Sequence, residues 1–302
     1  MKVAKNNKGK VIKALVTGGG GFIGGALIKE LKERGYKVTC LDRSDRNLPK
    51  GTPFIQGDIL DEKVVSKAMR GKDVVFHLAG VLGTEELQNA CIDAVRANVI
   101  GALNVFNAAV KHKVRVILIS KPNPWLNTYS ITKEMADKFC KMYQRDFGMK
   151  ALTVKWFSVY GPAQKHYGVR KAVPTFVVAA LQNKPLEIYG NGRQHADFIY
   201  VTDTVKATID LSETENAYGR TFEIGSGFGT SPVKLAKMII KIANSKSKIK
   251  YIPMRKGEDP NTKVVADLSE IRKVIKFNPL VGLQEGMEQT IAYYRDLLAS
   301  AS

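Results

Sequence analysis

Cysteine is scarce. Cys40, Cys91 and Cys140 are the only three in 302 residues, too few and too scattered for a disulfide framework or a thiolate metal site, so buried, reduced thiols and no bound metal are expected. Long apolar runs are missing too. The N-terminal lysines precede an apolar stretch, as in a signal peptide, but Lys13 and a glycine cluster interrupt it. Nothing approaches the roughly 18 to 20 apolar residues that span a bilayer. With no internal repeat or low-complexity tract, the chain reads as a soluble, cytoplasmic protein, and 44% hydrophobic residues suffice for a large core. Acid is also short: 28 Asp and Glu stand against 47 Lys and Arg, a net charge of +19. Lys2, Lys5, Lys8, Lys10 and Lys13 form one basic cluster, and residues 234–256 form a second that contains no acid. Such surfaces attract polyanions and small anionic substrates alike. No aromatic interleaving or nucleic-acid motif accompanies them, so a solvated basic face is expected and nucleic acid is disfavoured as a partner.

What is present centres on residues 17–24, TGGGGFIG, between the apolar run 11–16 and a helix-like stretch at 26–34. Gly18, Gly21 and Gly24 let the backbone approach a pyrophosphate, and the strand-turn-helix order aims N–H groups and the positive helix end at one spot. The next strand-like run, 36–41, ends on Asp42, eighteen residues past Gly24, where a ribose-binding carboxylate belongs in a dinucleotide unit. An acid accepts two ribose hydroxyls and repels a 2'-phosphate. NAD is therefore favoured over NADP, slightly offset by Arg43.

Alternating strand-like and helix-like segments predict a Rossmann-type α/β fold, a doubly wound parallel sheet with a smaller C-terminal substrate-binding domain. The expected division is residues 1–162 for NAD, with segments near 196–226 returning to that domain, and 163–302 mainly for substrate. Strand 52–56 leads into GDILD at 57–61, placing Asp58 near the adenine. Strand 73–78 closes on His77, Leu78, Ala79 and Gly80, whose small residues let the backbone lie against a cofactor; His77 reads as structural. A helix from 87 through 110 carries Asn98. Strand 114–119 ends at Ser120, Pro122 and Pro124 stiffen the loop KPNPWLNT, and a helix is predicted over 129–147. Residues 162–171 read as a basic lid, 173–182 as helix and 222–224 as a late strand of the first domain. Ser231 and Pro232 start a further helix, and the last helix covers 291–298.

Tyr129 and Lys133, in YSITK, stand four apart and so project from one helix face. An ammonium there favours the phenolate and lowers a phenol's pKa from its usual value near 10, giving a proton acceptor for an alcohol that loses hydride.

Together with that pair, the motifs make the chain resemble the extended short-chain dehydrogenases/reductases, and within them the nucleotide-sugar epimerases and dehydratases. TGGGGFIG, Asp42, GDILD, HLAG, NVIGALNV, YSITK, FSVYGP, IYGNGRQHADFIYVTD and MRKGED carry the likeness over nearly the whole length. The resemblance implies Tyr129 as acid/base, Lys133 as its electrostatic partner and Ser120 as an assisting hydroxyl. It implies NAD contacts at Gly18, Gly21, Phe22, Ile23, Gly24, Asp42, Arg43, Asp58, Ile59, Leu78, Ala79, Gly80 and Asn98, as well as at Tyr129 and Lys133. For a UDP-sugar it implies Lys121, Thr128, Ser158, Tyr189 near the base, Arg193, Arg255 on the diphosphate, and Glu258. It also implies a homodimer through the helices of Asn98 and Tyr129.

Three positions depart from the family pattern. Lys121 stands where a catalytic Ser or Thr is usual, so Ser120, Thr128 or Lys121 itself must assist. Ala196 replaces a diphosphate arginine, with Arg193 and His195 as partial substitutes, and Glu258 replaces an aspartate. The 121–128 loop has no acid, which argues against dehydration and against the related decarboxylases, and Asp42 argues against NADPH-dependent reductases. Epimerisation at carbon 4 through a 4-keto sugar is then the expected reaction. Glucose, its N-acetylated amine and its uronic acid all fit as the sugar, and a pairing of Lys121 with a 6-carboxylate tilts toward the uronic acid. The alternatives are a scaffold or RNA-binding protein of this fold, supported by Lys121, Ala196 and the basic surface, and another NAD-dependent alcohol oxidoreductase.

Overall fold

Strands and helices alternate from the first glycine turn onward in this computed structural model, which describes Ala4, residues 9–122 and residues 124–300. Lys2, Lys5 and Lys8 of the basic arm lie outside the described residues. The chain runs β1 (Lys13–Thr17), α1 (Phe22–Glu33), β2 (Lys37–Asp42), β3 (Phe54–Gln56), α2 (Glu62–Met69) and β4 (Val74–His77). Then come α3 (Cys91–Val95), a π-helical turn (Arg96–Ile100), α4 (Gly101–His112), β5 (Arg115–Ser120), α5 (Thr128–Phe147) and β6 (Ala151–Trp156). Next are β7 (Ser158–Tyr160), α6 (Ala172–Leu181), β8 (Leu186–Tyr189), β9 (His195–Tyr200), α7 (Val201–Glu213) and β10 (Thr221–Ile224). The remainder is β11 (Gly229–Thr230), α8 (Pro232–Ala243), β12 (Ile249–Ile252), β13 (Lys263–Val264), α9 (Ser269–Arg272) and α10 (Leu283–Ala299).

Seven of the strands pair in parallel in the order β10-β6-β5-β4-β1-β2-β3. Strands covered on both faces read as continuous apolar runs, and β4 and most of β1 and β5 are buried along their length. Leu27, Ile28 and Leu31 of α1 pack one face together with Val205 and Ile209 of α7. Val65 of α2, Val105 and Phe106 of α4 and Ala136 of α5 pack the other. Strand order reverses beside β1, between β2 and β4, which opens a crevice at the carboxyl ends of these strands where ligands bind in such sheets. A third core, with Tyr160, Phe176, Ile188, Leu235 and Tyr294, belongs to the later elements. Of the segment near 196–226, α7 and β10 join the first sheet layer, whereas β9 pairs with β7, β11 and β13.

Three local expectations need correction. The helix expected from residue 87 begins at Cys91, because residues 85–90 close as turns, with Gln88 N donating to Glu85 O at 3.1 Å and Ala90 N to Leu87 O at 3.2 Å. The last helix begins at Leu283 rather than 291, and Met287, Ile291 and Tyr294 form its buried stripe. Cys40 and Cys140 are buried as expected, but Cys91 is exposed at the start of α3. In α8, Ser231 caps the helix by accepting from Lys234 N, while Lys234, Lys237 and Lys241 face solvent opposite Leu235, Ala236 and Ile239.

Candidate active site

The glycine turn between β1 and α1 is held by contacts that admit no side chain. Gly18 has φ +76°, and a Cβ there would lie 2.6 Å from Ala79 N; one on Gly24 would lie 2.2 Å from Gly18 O. Helix α1 starts at Phe22 with no side chain capping its first N–H groups and no acid in its first turn, so these donors are left for an anion. Asp42 accepts from Gly20 N at 2.9 Å and from Ser44 N at 3.2 Å, which orients its carboxylate beside the turn. Gly20 escaped sequence reasoning, yet a Cβ there would meet Ser44 O at 1.9 Å. Arg43 Nη1 lies 3.8 Å from Asp58 Oδ2, so its charge is directed at a neighbouring acid. Ile59 is buried beneath Gly101.

Across the crevice, His77 Nδ1 pairs with Thr17 Oγ1 at 2.8 Å, and that hydroxyl also accepts from Ala79 N at 3.3 Å. Burial pushes the His77 pKa down to about 3, and the charge of Lys133 adds to the shift, so the imidazole stays neutral and structural. The unfolded chain takes up this proton near 6.5 and the folded chain does not, so the stabilisation is complete above pH 6.5 and is lost as pH falls toward 3. Thermal unfolding followed from pH 7 to 4 should show Tm declining below 6.5, with a shallower decline in His77→Asn. Asn98, turned inward by the π-helical turn, accepts from Val81 N at 2.8 Å and donates to Val81 O and to Thr132 Oγ1, both at 3.0 Å. It ties Val81, the residue after Gly80, to α5 as a positioning residue.

Helix α5 begins where Asn127 caps it, accepting from Ser130 N at 2.9 Å, and this puts Tyr129 in the first turn with Lys133 one turn below. Lys133 Nζ donates to Ile119 O at 2.5 Å, at the end of β5. One turn further, Asp137 accepts from Ser120 Oγ at 2.9 Å. Burial lowers the Lys133 pKa, and the Asp137 charge opposes that shift. The expected lowering at Tyr129 is not found. Burial pushes the phenol up to about 12, because the ammonium a turn away is anchored on a backbone carbonyl rather than on the phenol. The assisting hydroxyls are engaged elsewhere, Ser120 with Asp137 and Thr128 Oγ1 with Cys91 Sγ at 3.1 Å. Lys121 instead lies beside Tyr129. Its Nζ is 4.8 Å from the Tyr129 ring centroid and 5.5 Å from that of Trp125, and it donates to Ser130 Oγ at 3.1 Å. Burial pushes its pKa down to about 8, helped by the charge of Lys171.

The wall opposite comes from the later elements. Tyr189 lies between two guanidinium groups, Arg255 at 4.8 Å and Arg170 at 5.4 Å from its ring centroid, and Arg170 donates to its hydroxyl at 3.0 Å. Glu258 holds Arg255 Nη2 at 2.9 Å and accepts from Thr84 Oγ1 at 3.1 Å, while Arg255 Nε is buried with no partner among the described residues. Ser158 opens β7, and Arg193 is exposed on the turn before β9. Arg170 and Lys171 belong to the segment read as a basic lid, though neither was singled out, and Thr84, Glu85 and Glu86 were not expected here. They come from loops, and no spacing in the sequence marks them.

Residues 14–225 match the model of the NAD dependent epimerase/dehydratase family. The chain belongs to that family. Among its relatives, it is 32% identical to the UDP-N-acetyl-alpha-D-glucosaminuronate decarboxylase of Bacillus cytotoxicus, over 94% of this chain and 98% of that one. The UDP-glucose 4-epimerase of Thermotoga maritima, solved with UDP-glucose, superposes with TM-score 0.90 at 27% identity, covering 95% of this family member and all of that chain. The UDP-glucuronic acid 4-epimerase of Bacillus cereus, solved with UDP-glucuronic acid and NAD, gives TM-score 0.87 at 27% identity, over 95% and 100% of the two chains.

NAD is the cofactor of the family, and the residues here fit it: the side-chain-free turn, the uncapped start of α1 and the Asp42 carboxylate match a pyrophosphate and a ribose. No described helix of this family member is long and apolar enough to cross a membrane, and no group of described His, Cys, Asp or Glu residues could hold a metal ion.

Proposed function

We propose that this family member inverts carbon 4 of a UDP-linked sugar. The observation that supports the reading is the position of Tyr129 in the first turn of α5, just after β5, with Lys133 one helical turn below and Lys121 against its ring. NAD, held by the glycine turn and Asp42, would supply the acceptor and then the donor of the carbon-4 hydride. Tyr129 accepts the proton of the 4-hydroxyl and later returns it to the inverted oxygen. Because burial disfavours the phenolate, the cations of Lys121 and Lys133 are what sustain that negative charge during transfer. Lys121 donates to the carbon-4 oxygen in the place of the engaged hydroxyls. Arg255, with its unpartnered Nε, grips the diphosphate beside Tyr189, which leaves the sugar ring free to turn over.

A second reading has one specific support, the relative that is 32% identical and bears the name of a decarboxylase. Oxidation at carbon 4 of a uronic acid gives a 3-oxo acid relative to its carboxylate, and such a compound can lose CO2. Incubation with a panel of neutral and carboxylated UDP-sugars, without added NAD, separates the possibilities by NMR. Inverted carbon 4 with every carbon kept supports the epimerase, a product one carbon shorter supports the decarboxylase, and accumulation of NADH points to a dehydrogenase.

We also infer a homodimer through α3, the π-helical turn and α5, which expose Ile92, Ile100, Ile131 and Met135. Sedimentation should find twice the chain mass, and Ile131→Glu should shift it to the monomer.

A further inference from the structure

The sugar end of the crevice gathers cations, two of which have no carboxylate in hydrogen-bond contact among the described residues. Four cations converge there: Lys121, Lys133, Lys171 and Arg255. Lys133 is answered by Ile119 O and by Asp137. Arg255 is paired with Glu258 at 2.9 Å, and its remaining Nε suits the diphosphate. Lys121 has for company two aromatic faces and Ser130 Oγ, all neutral. The Lys171 ammonium makes no hydrogen bond or close ion pair with any described residue, although it is largely withdrawn from solvent. Of the nearby acids, Glu258 binds Arg255 and Thr84, while Glu86, which accepts from Arg170 N at 3.1 Å, acts on Lys171 through its charge without a hydrogen bond or close ion pair. Lys171 also stands at the N-cap of α6, a helix whose first turn has neither a capping side chain nor an acid. Its open N–H groups add to the positive potential.

Withdrawing an ammonium from water without a counter-charge is costly, and two neighbouring ones raise the cost. Burial lowers the pKa of both Lys121 and Lys171, with repulsion from neighbouring cations added, and the charge of Glu258 on both, with that of Glu86 on Lys171, does not cancel the shift. A neutral hexose brings only hydroxyls to this spot. We propose that the sugar held against Tyr129 carries a carboxylate at carbon 6, paired with the ammonium groups of Lys121 and Lys171, an inference that rests on the carbon-4 site described above. Carbon 6 is the right place because Lys121 touches the Tyr129 ring, at the carbon-4 end of the sugar, whereas Arg255 lies beside Tyr189. The pairing also protects the substrate. Loss of CO2 from a 4-keto uronate moves the electrons of the carbon 5–carbon 6 bond toward the carbon-4 oxygen, and ion pairs that hold negative charge on the carboxylate oppose that shift.

The test is calorimetric binding to the NAD-loaded Tyr129→Phe variant, in which turnover is suppressed, with UDP-glucuronate and UDP-glucose as probes. UDP-glucuronate is expected to bind at least about tenfold more tightly, the scale of one charge-assisted hydrogen bond. Adding Lys171→Met should remove most of that preference, and Lys171→Arg should keep it. Equal affinities for the two probes would overturn the proposal. So would a Lys171→Met effect that weakens both probes alike, since it would assign Lys171 to the shared diphosphate. Preferential uronate binding without inversion of carbon 4 by the wild type would sink the epimerase reading and leave the carboxylate subsite standing.

Discussion

Tyr129→Phe should lower kcat by about a thousandfold, within the range for removing a positioned general acid/base, while Tm and the amount of NAD retained on purification stay at the wild-type level. The phenol oxygen is the one atom removed, and it makes no hydrogen bond to any described residue, so the fold loses no anchoring contact with it. The effect therefore falls on the chemical step. Lys133→Met would be a poorer probe, because it strips Ile119 O and Asp137 of their partner and leaves a carboxylate whose pKa burial already raises. Turnover measured beside Tm and bound NAD separates the two kinds of loss.

Gly24→Ala should yield a protein that purifies largely without NAD and melts several degrees lower. The added methyl would sit 2.2 Å from Gly18 O and 2.7 Å from Gly19 Cα, both backbone atoms that no rotamer change can move. Helix α1 must then back away from β1, which widens the anion cradle and costs about 1 to 3 kcal/mol, as overpacking does. Gly21→Ala is the contrast. The nearest atom to its new methyl is Gly18 O at 3.3 Å, so Tm should hardly change and any loss should appear in cofactor binding. The ratio of absorbance at 260 to 280 nm, read beside a melting curve, tells the two apart.

The cofactor half of the site was legible in the sequence because its determinants are short-range. The spacing of Gly18, Gly21 and Gly24, and Asp42 at the end of the next strand, follow from one strand-turn-helix-strand unit. That Tyr129 and Lys133 share one helix face follows from helical periodicity, and the dinucleotide fingerprint before them singles the pair out. Sequence spacing did not give the electrostatics of that pair, because the partner that captures Lys133 is a carbonyl on β5, and the burial that raises the Tyr129 pKa has no signature in helical spacing. Asp137 could have been found, being one further turn along the face that bears Lys133. Thr84 against Glu258, Glu86 against Arg170, and Lys171 beside Lys121 could not, since each contact joins loops of the two halves whose meeting depends on the assembled fold. The exclusion of decarboxylases rested on the acid-free loop at 121–128. That loop instead presents Lys121, whose charge bears on the fate of the carboxylate in a way that counting acids did not reveal.

The most direct measurement follows hydride itself. The purified protein, given no NAD, is incubated with a UDP-sugar carrying deuterium at carbon 4, and the product is examined by NMR and mass spectrometry. The expected result is an inverted carbon 4 that keeps its deuterium, because the hydride leaves and returns within one closed site while Tyr129 handles only the hydroxyl proton. Deuterium lost to solvent, or an unchanged configuration at carbon 4 despite retained NAD, would contradict it.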